Sequence, residues 1–162
     1  MKTIAKLGQE FGEYVIKLTT ELLGAGEPKS LSEMERQVRG MLQQLGQFLL
    51  GAWLSLLEAS YAAETSRCQC GGEGAYQYKR PGTLLTIVGE VTYKRAYYLC
   101  AECHKGHYPL DQKLGLRPGQ MSAELESLSG MTGAQIPFGQ GSDLFEALTL
   151  IALSDQSVAK AT

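Results

Sequence analysis

Long apolar runs are missing from this sequence. The most apolar stretch, MLQQLGQFLLGAWLSLL, is broken by Gln43, Gln44 and Gln47, and it falls short of the roughly 20 residues that a membrane span needs. The opening residues, MKTIAKLGQEFGEY, hold no apolar h-region and no small-residue cleavage site, which argues against a secretory signal peptide. Internal repeats and low-complexity segments are absent, so a solenoid or a disordered tract is not expected. Strong net charge is lacking too. The chain of 162 residues carries −2, which argues against indiscriminate binding to polyanions. Cysteine is scarce, with four residues. The expectation is a soluble, cytoplasmic protein with no membrane partner. In that reducing compartment, clustered cysteines favour metal over disulfide.

Apolar residues make up 44% of the chain, enough for a real core. Charge is unevenly spread. Residues 67–117 hold eight Lys/Arg against four acids, giving +4, while the rest holds seven against thirteen, giving −6. This asymmetry points to an anionic partner for the central segment.

Residues 2–23 read as an amphipathic helix, with Ile4, Leu7, Phe11, Val15, Leu18 and Leu22 spaced by three and four. GAGEPKS breaks it. Ser30 and Glu33 have capping-box spacing, so a second helix is expected from there to about Glu64. Along it Leu31, Met34, Val38, Met41, Leu45, Phe48, Ala52, Leu56, Ala59 and Ala63 approach a heptad seam. The first helix can cover part of that seam. Leu42, Leu49, Leu50, Trp53, Leu54 and Leu57 widen the apolar surface, and self-association is expected to cover the remainder.

TLLTIVGEVTYKRAYYL is rich in β-branched and aromatic residues. It predicts strands near 83–88 and 91–99 with a turn at Gly89-Glu90. LDQKLGLRPGQ reads as a loop, Ser122 as the cap of a short helix to about Met131, and Ser142 as the start of another to about Leu148. A final helix is expected to begin at Ser154 or Asp155, and the chain stops inside it. The expected fold class is α+β, in three parts: a long-helix hairpin over 1–66, a zinc-ribbon β-hairpin over 67–117, and short helices of helix-turn-helix character over 118–162.

Cys68 and Cys70 flank one side of the predicted hairpin, Cys100 and Cys103 the other. Two cysteine turns brought together at one end of a hairpin form a zinc ribbon, in which Zn²⁺ takes four thiolates tetrahedrally. Such a centre is structural, because it leaves no open position for chemistry. The C-x-C pair is tighter than the usual C-x-x-C knuckle, so His104 or His107 stands as an alternative ligand. A thioredoxin-like role for CAEC has no βαβ pattern around it.

CQCGGEGAYQYKRPGTLLTIVGEVTYKRAYYLCAECHKGHYPLDQKLGL resembles the N-terminal region of ISKra-type insertion-sequence transposases. The likeness rests on Gly89, Glu90, Val91, Arg95, Ala96, Tyr97, Tyr98, Cys100, Cys103, Gly106, Pro109, Leu110, Asp111, Leu114, Gly115 and Leu116. It continues through Pro137, Phe138, Leu144, Leu148 and Thr149. It implies a zinc-binding module followed by a helix-turn-helix-like segment that holds DNA. It also implies that an RNase H-like catalytic part with three carboxylates should follow. No spaced Asp/Asp/Glu set stands in an alternating β/α region of this sequence, so no catalytic residue and no small-molecule substrate are expected. A domain fragment, a truncated element or a short descendant that kept recognition would each fit.

Lys79, Arg80, Lys94, Arg95 and Lys105 are the candidate phosphate contacts, which set affinity and salt dependence rather than sequence. Tyr76, Tyr78, Tyr93, Tyr97 and Tyr98 interleave with them, and alternation places some in the core and some outside. In the last helix Gln156, Ser157 and Lys160 are the candidates for base reading. The competing expectation is an interaction subunit, in which the long apolar helix docks into a larger nucleoprotein assembly and the ribbon is only a staple.

Overall fold

A computed structural model describes residues 4–61, 63–135 and 138–152. Helix α1, Ile4–Gly24, and helix α2, Leu31–Tyr61, form the expected hairpin. The Ser30 hydroxyl accepts the Glu33 N–H at 3.2 Å, and the Glu33 carboxylate accepts the Lys29 N–H at 2.8 Å. The capping box therefore closes one residue further out than its usual form. At 31 residues and about 1.5 Å each, α2 is the longest element. It ends at Tyr61, so Ala63 of the expected seam lies beyond it.

Three faces of α2 do different work. Leu50, Leu54 and Leu57 enter the main core with Leu84, Val91, Tyr93 and Leu110. Each side chain fully buried there contributes roughly 1.5–3 kcal/mol relative to exposure. Phe48 meets Phe11 and Tyr14 of α1, with ring centroids 5.9 and 4.9 Å away. A third stripe, Leu31, Met34, Val38, Leu42, Leu49 and Trp53, stays exposed.

The sheet has four antiparallel strands in chain order: β1 Thr65–Arg67, β2 Glu73–Thr86, β3 Gly89–Cys100 and β4 Gly106–His107. Here the expectation needs correction twice. β2 starts ten residues before the predicted strand, and the hairpin turns at Ile87-Val88, with Gly89 already paired to Thr86. The early half of β2 escaped because residues 75–81 are exposed throughout and show no alternation. Pro81 suits that stretch, since β1 has already ended and β2 is paired there with β3. A bulge between Tyr76 and Tyr78 shifts the register. Further on, residues 119–122 join the outer edge of β2 through Gly119 N–H to Thr83 C=O and Ser122 N–H to Leu85 C=O.

The segment expected to be a loop after Pro109 contains helix α3, Pro109–Leu114. Proline at the first helical position is favourable, because its missing N–H would have no partner there anyway. Asp111 pins α3 to the sheet. Tyr93 donates to its Oδ1 at 2.6 Å, and Arg95 pairs with its Oδ2. Burial, then the bond to Asp111, pushes the Tyr93 phenol well above its ordinary range.

Ser122 caps helix α4, Ala123–Gln135, by accepting the Leu125 N–H at 3.3 Å. The helix runs past the predicted end at Met131. Helix α5, Phe138–Thr149, starts earlier than the expected Ser142. Leu125, Phe145 and Ile151 form a second core with Leu85, Met121 and Leu128 around it. Arg39 of α2 donates to the carbonyls of Leu148 and Ala147 at 2.6 and 3.2 Å. A cation there satisfies the open carbonyls at the end of α5 and opposes their negative dipole. Among the described residues, no helix is long and apolar enough to cross a membrane. The fold is α+β.

Glu58 of α2 is buried and accepts the Ala96 N–H of β3 at 2.6 Å. Burial raises its pKa, against the lowering effects of that bond and of Lys79. A carboxyl raised on folding contributes its full stability below the unfolded value, and that stability is lost as pH rises through the folded value. Glu58→Gln is therefore expected to gain stability over the parent at neutral pH, with the gap closing below about pH 4. Urea unfolding at both pH values measures this, and a gap independent of pH would contradict it.

Candidate metal centre and nucleic-acid surface

Each cysteine pair sits on a tight turn at the same end of the sheet. The first turn, between β1 and β2, is closed by Cys68 N–H to Gly72 C=O at 2.8 Å and Gly71 N–H to Cys68 C=O at 3.0 Å. Gly71 has φ +95°, a conformation that side chains rarely adopt. Gly72 serves differently: a Cβ there would lie 2.6 Å from the Glu102 carboxyl carbon. The second turn, between β3 and β4, is closed by Cys100 N–H to Lys105 C=O and His104 N–H to Cys100 C=O, both 3.1 Å.

The four sulfurs converge. Cys68 lies 3.6 Å from Cys103, Cys70 lies 3.6 Å from Cys100, and all four atoms fall within 4.8 Å of one another. A tetrahedron with metal–sulfur bonds of about 2.3 Å has sulfur–sulfur edges of roughly 3.8 Å. The cluster therefore fits one ion held by four thiolates. The C-x-C spacing does not prevent this, because each sulfur's near neighbour belongs to the other pair. Neither histidine joins the set. His107 is buried, stacks on Tyr98 with centroids 5.7 Å apart, and has Nε2 3.3 Å from the Ser66 hydroxyl. Burial lowers its pKa. His104 is exposed, with φ +54° in its turn.

Backbone N–H of Cys103 leads in lowering Cys100 to about 7. The Gly72 N–H favours the Cys70 thiolate, but hydrogen bonds with Cys103, Cys100 and Cys68 outweigh it and push Cys70 up to about 12. A bound cation would favour all four thiolates, so binding should release protons and weaken as pH falls.

The basic candidates are split between the two faces of the hairpin. Lys79 and Lys94 line a groove of about 640 Å³ beside α1 and α2, together with Glu10 and Glu58. Arg80 and Arg95 are register partners on the other face. There Arg95 is committed to Asp111 and lies with its guanidinium carbon 4.0 Å from the Tyr108 ring centre, whereas Arg80 is exposed. Lys105 is exposed on the second cysteine turn. Gln156, Ser157 and Lys160, with the helix expected from Ser154 or Asp155, lie outside the described residues, as does Pro137.

Sequence reasoning did not single out Glu58 or Tyr108. Nothing in the local pattern marks a carboxylate on an amphipathic helix as one that reaches a strand N–H, or a tyrosine before a proline as the cover of an arginine. A family model described as "Uncharacterised protein family (UPF0236)" matches residues 25–126, more than half of the chain. No curated protein and no solved structure matches the sequence.

Proposed function

The chain belongs to the UPF0236 family, and we propose that it is a non-catalytic DNA-binding module built on a structural zinc site. The carrying observation is the four-cysteine cluster at the end of a sheet whose exposed residues include Lys79, Arg80 and Lys94, with Lys105 exposed on the adjoining cysteine turn. Four thiolates in tetrahedral reach suit Zn²⁺ and leave no open coordination position, so the ion would hold structure and do no chemistry. The motif likeness to the N-terminal region of ISKra-type transposases supports DNA as the partner and the cytoplasm as the compartment.

Duplex binding followed by fluorescence anisotropy between about 50 and 200 mM salt tests this. If two to four of the exposed basic residues each neutralise a phosphate, log K falls with log salt at a slope of about −2 to −4. Chelation should weaken the complex. No binding to duplex or single strands at the lowest salt would sink the proposal.

A second reading is favoured by the open stripe of α2, where Trp53 is 65% and Leu42 60% exposed. On that reading α2 docks onto a second copy or a larger nucleoprotein assembly. Light scattering on the same samples reports the stoichiometry, and a monomer at all concentrations would count against self-association.

A further inference from the structure

We propose that the face of the β2–β3 hairpin carrying Arg80 is a stacking platform for the unpaired bases of single-stranded DNA. This deepens the DNA-binding proposal and rests on it. Tyr78 of β2 and Tyr97 of β3 are register partners with ring centroids 5.3 Å apart, and Tyr97 continues to Tyr108 at 5.2 Å. Three rings from three segments thus form one row. The row is held in place from beneath. Tyr97 lies on the backbone of Gly106, where an added Cβ would run into the ring and its hydroxyl. Arg95, anchored by Asp111, supports the Tyr108 ring.

The row is open at its Tyr78 end, while Tyr97 and Tyr108 are half-buried. Tyr78 is 48% exposed, within a run of seven exposed strand residues, 75–81. Such a run offers rings to solvent where a strand facing only water would carry short polar groups. The one carboxylate described next to the row, Asp111, is paired with Arg95. No acid occurs between Glu73 and Glu90, and Arg80 stands beside the row, facing Tyr108. Ring faces next to an exposed guanidinium match a ligand that carries π-faces and phosphates together. A duplex hides its base faces inside the stack, whereas a single strand presents them, and aromatic side chains bind it by stacking without regard to sequence. The rings stand too close and too tilted for a base to pass between them, so bases would lie on their outer faces, Tyr78 first.

The test uses the metal-loaded full chain, a fluorescein-labelled dT15 strand and a mixed-sequence duplex of the same length. Binding to dT15 should be at least about tenfold tighter than to duplex. Tyr78→Ala should weaken dT15 binding roughly 5- to 150-fold, the measured range for one stacked base, with duplex binding unchanged. Tyr78→Phe keeps the ring and should bind as the parent does, which separates stacking from any effect on folding. Duplex binding as tight as dT15, or a Tyr78→Ala variant with parental affinity, overturns the platform and leaves the DNA-binding proposal standing. Binding to neither probe removes both.

Discussion

If the four-cysteine centre holds zinc as proposed, removing the metal is expected to open the sheet at one end only. The centre closes the turns that join β1 to β2 and β3 to β4. β1 is three residues long and β4 two, too short to persist on their own ladder bonds. The main core lies elsewhere. From the Gly74–Cys100 pair to the Leu84–Val91 pair the hairpin advances nine residues along β3, roughly 30 Å at about 3.3 Å each. That far end is held by Leu54 and Leu110, which owe nothing to the metal. Structural zinc supplies about 10–16 kcal/mol of apparent binding free energy in small modules, as much as a whole domain's typical stability of about 5–15 kcal/mol. Chelation should therefore expose amides 65–76 and 97–107 to hydrogen exchange while 84–93 keep their protection. Cys100→Ser should do the same with metal present, since Cys100 is fully buried and would supply one of four ligands. Lower pH should act in the same direction, because protons compete with the ion for the thiolates. Protection that is unchanged after chelation would mean that packing alone holds the cysteine end. Loss of protection everywhere would mean that the two ends form one cooperative unit.

The elements that were legible in the sequence are those with a local cause. The helix pair follows from apolar spacing and from Ser30 with Glu33. The cysteine centre follows from two thiol pairs about a hairpin. The elements that escaped depend on something distant or ambiguous. Pro109 serves equally as a breaker and as a first helical residue, so α3 read as a loop. Ser142 read as a start, so the helix was expected four residues later than Phe138, where α5 begins. Strict alternation would put Tyr76 and Tyr78 on one face of β2. The bulge between them sends Tyr76 to Tyr98 and Tyr78 to Tyr97, neighbours that point to opposite sides of β3. That single inserted residue decides which tyrosines join the arginines, and no local pattern announces it. The sequence likewise presents Arg95 as one more cation in YKRAYY. Its partner lies sixteen residues on, in α3, and only the folded chain shows that this charge is spent.

Asp111→Ala is expected to be the most damaging substitution outside the cysteines. The side chains of Asp111 and Arg95 are 10% and 14% exposed, and the Arg95 Nε is already buried without a partner. Alanine would leave a nearly buried guanidinium without its counter-charge and the Tyr93 hydroxyl without its acceptor. Breaking one side of a buried pair costs about 3–5 kcal/mol, where an exposed pair costs about 1 kcal/mol at most. The urea midpoint should fall accordingly, with metal content unchanged, because the pair sits mid-hairpin, five residues along β3 from Cys100. The double variant Arg95→Met with Asp111→Leu gives the sharper reading. It removes both charges, so the ion-pair part of the loss should return, while the unsatisfied Tyr93 hydroxyl should still cost about 1–3 kcal/mol. A single variant that loses less than about 1 kcal/mol would place the pair among surface interactions. The same variants bear on the tyrosine row. With Asp111 gone, Arg95 is free to leave the Tyr108 ring, so dT15 binding should weaken even though the protein gains a mobile cation. Tighter binding would mean that the freed charge outweighs the ordered rings and that charge, not stacking, governs this face.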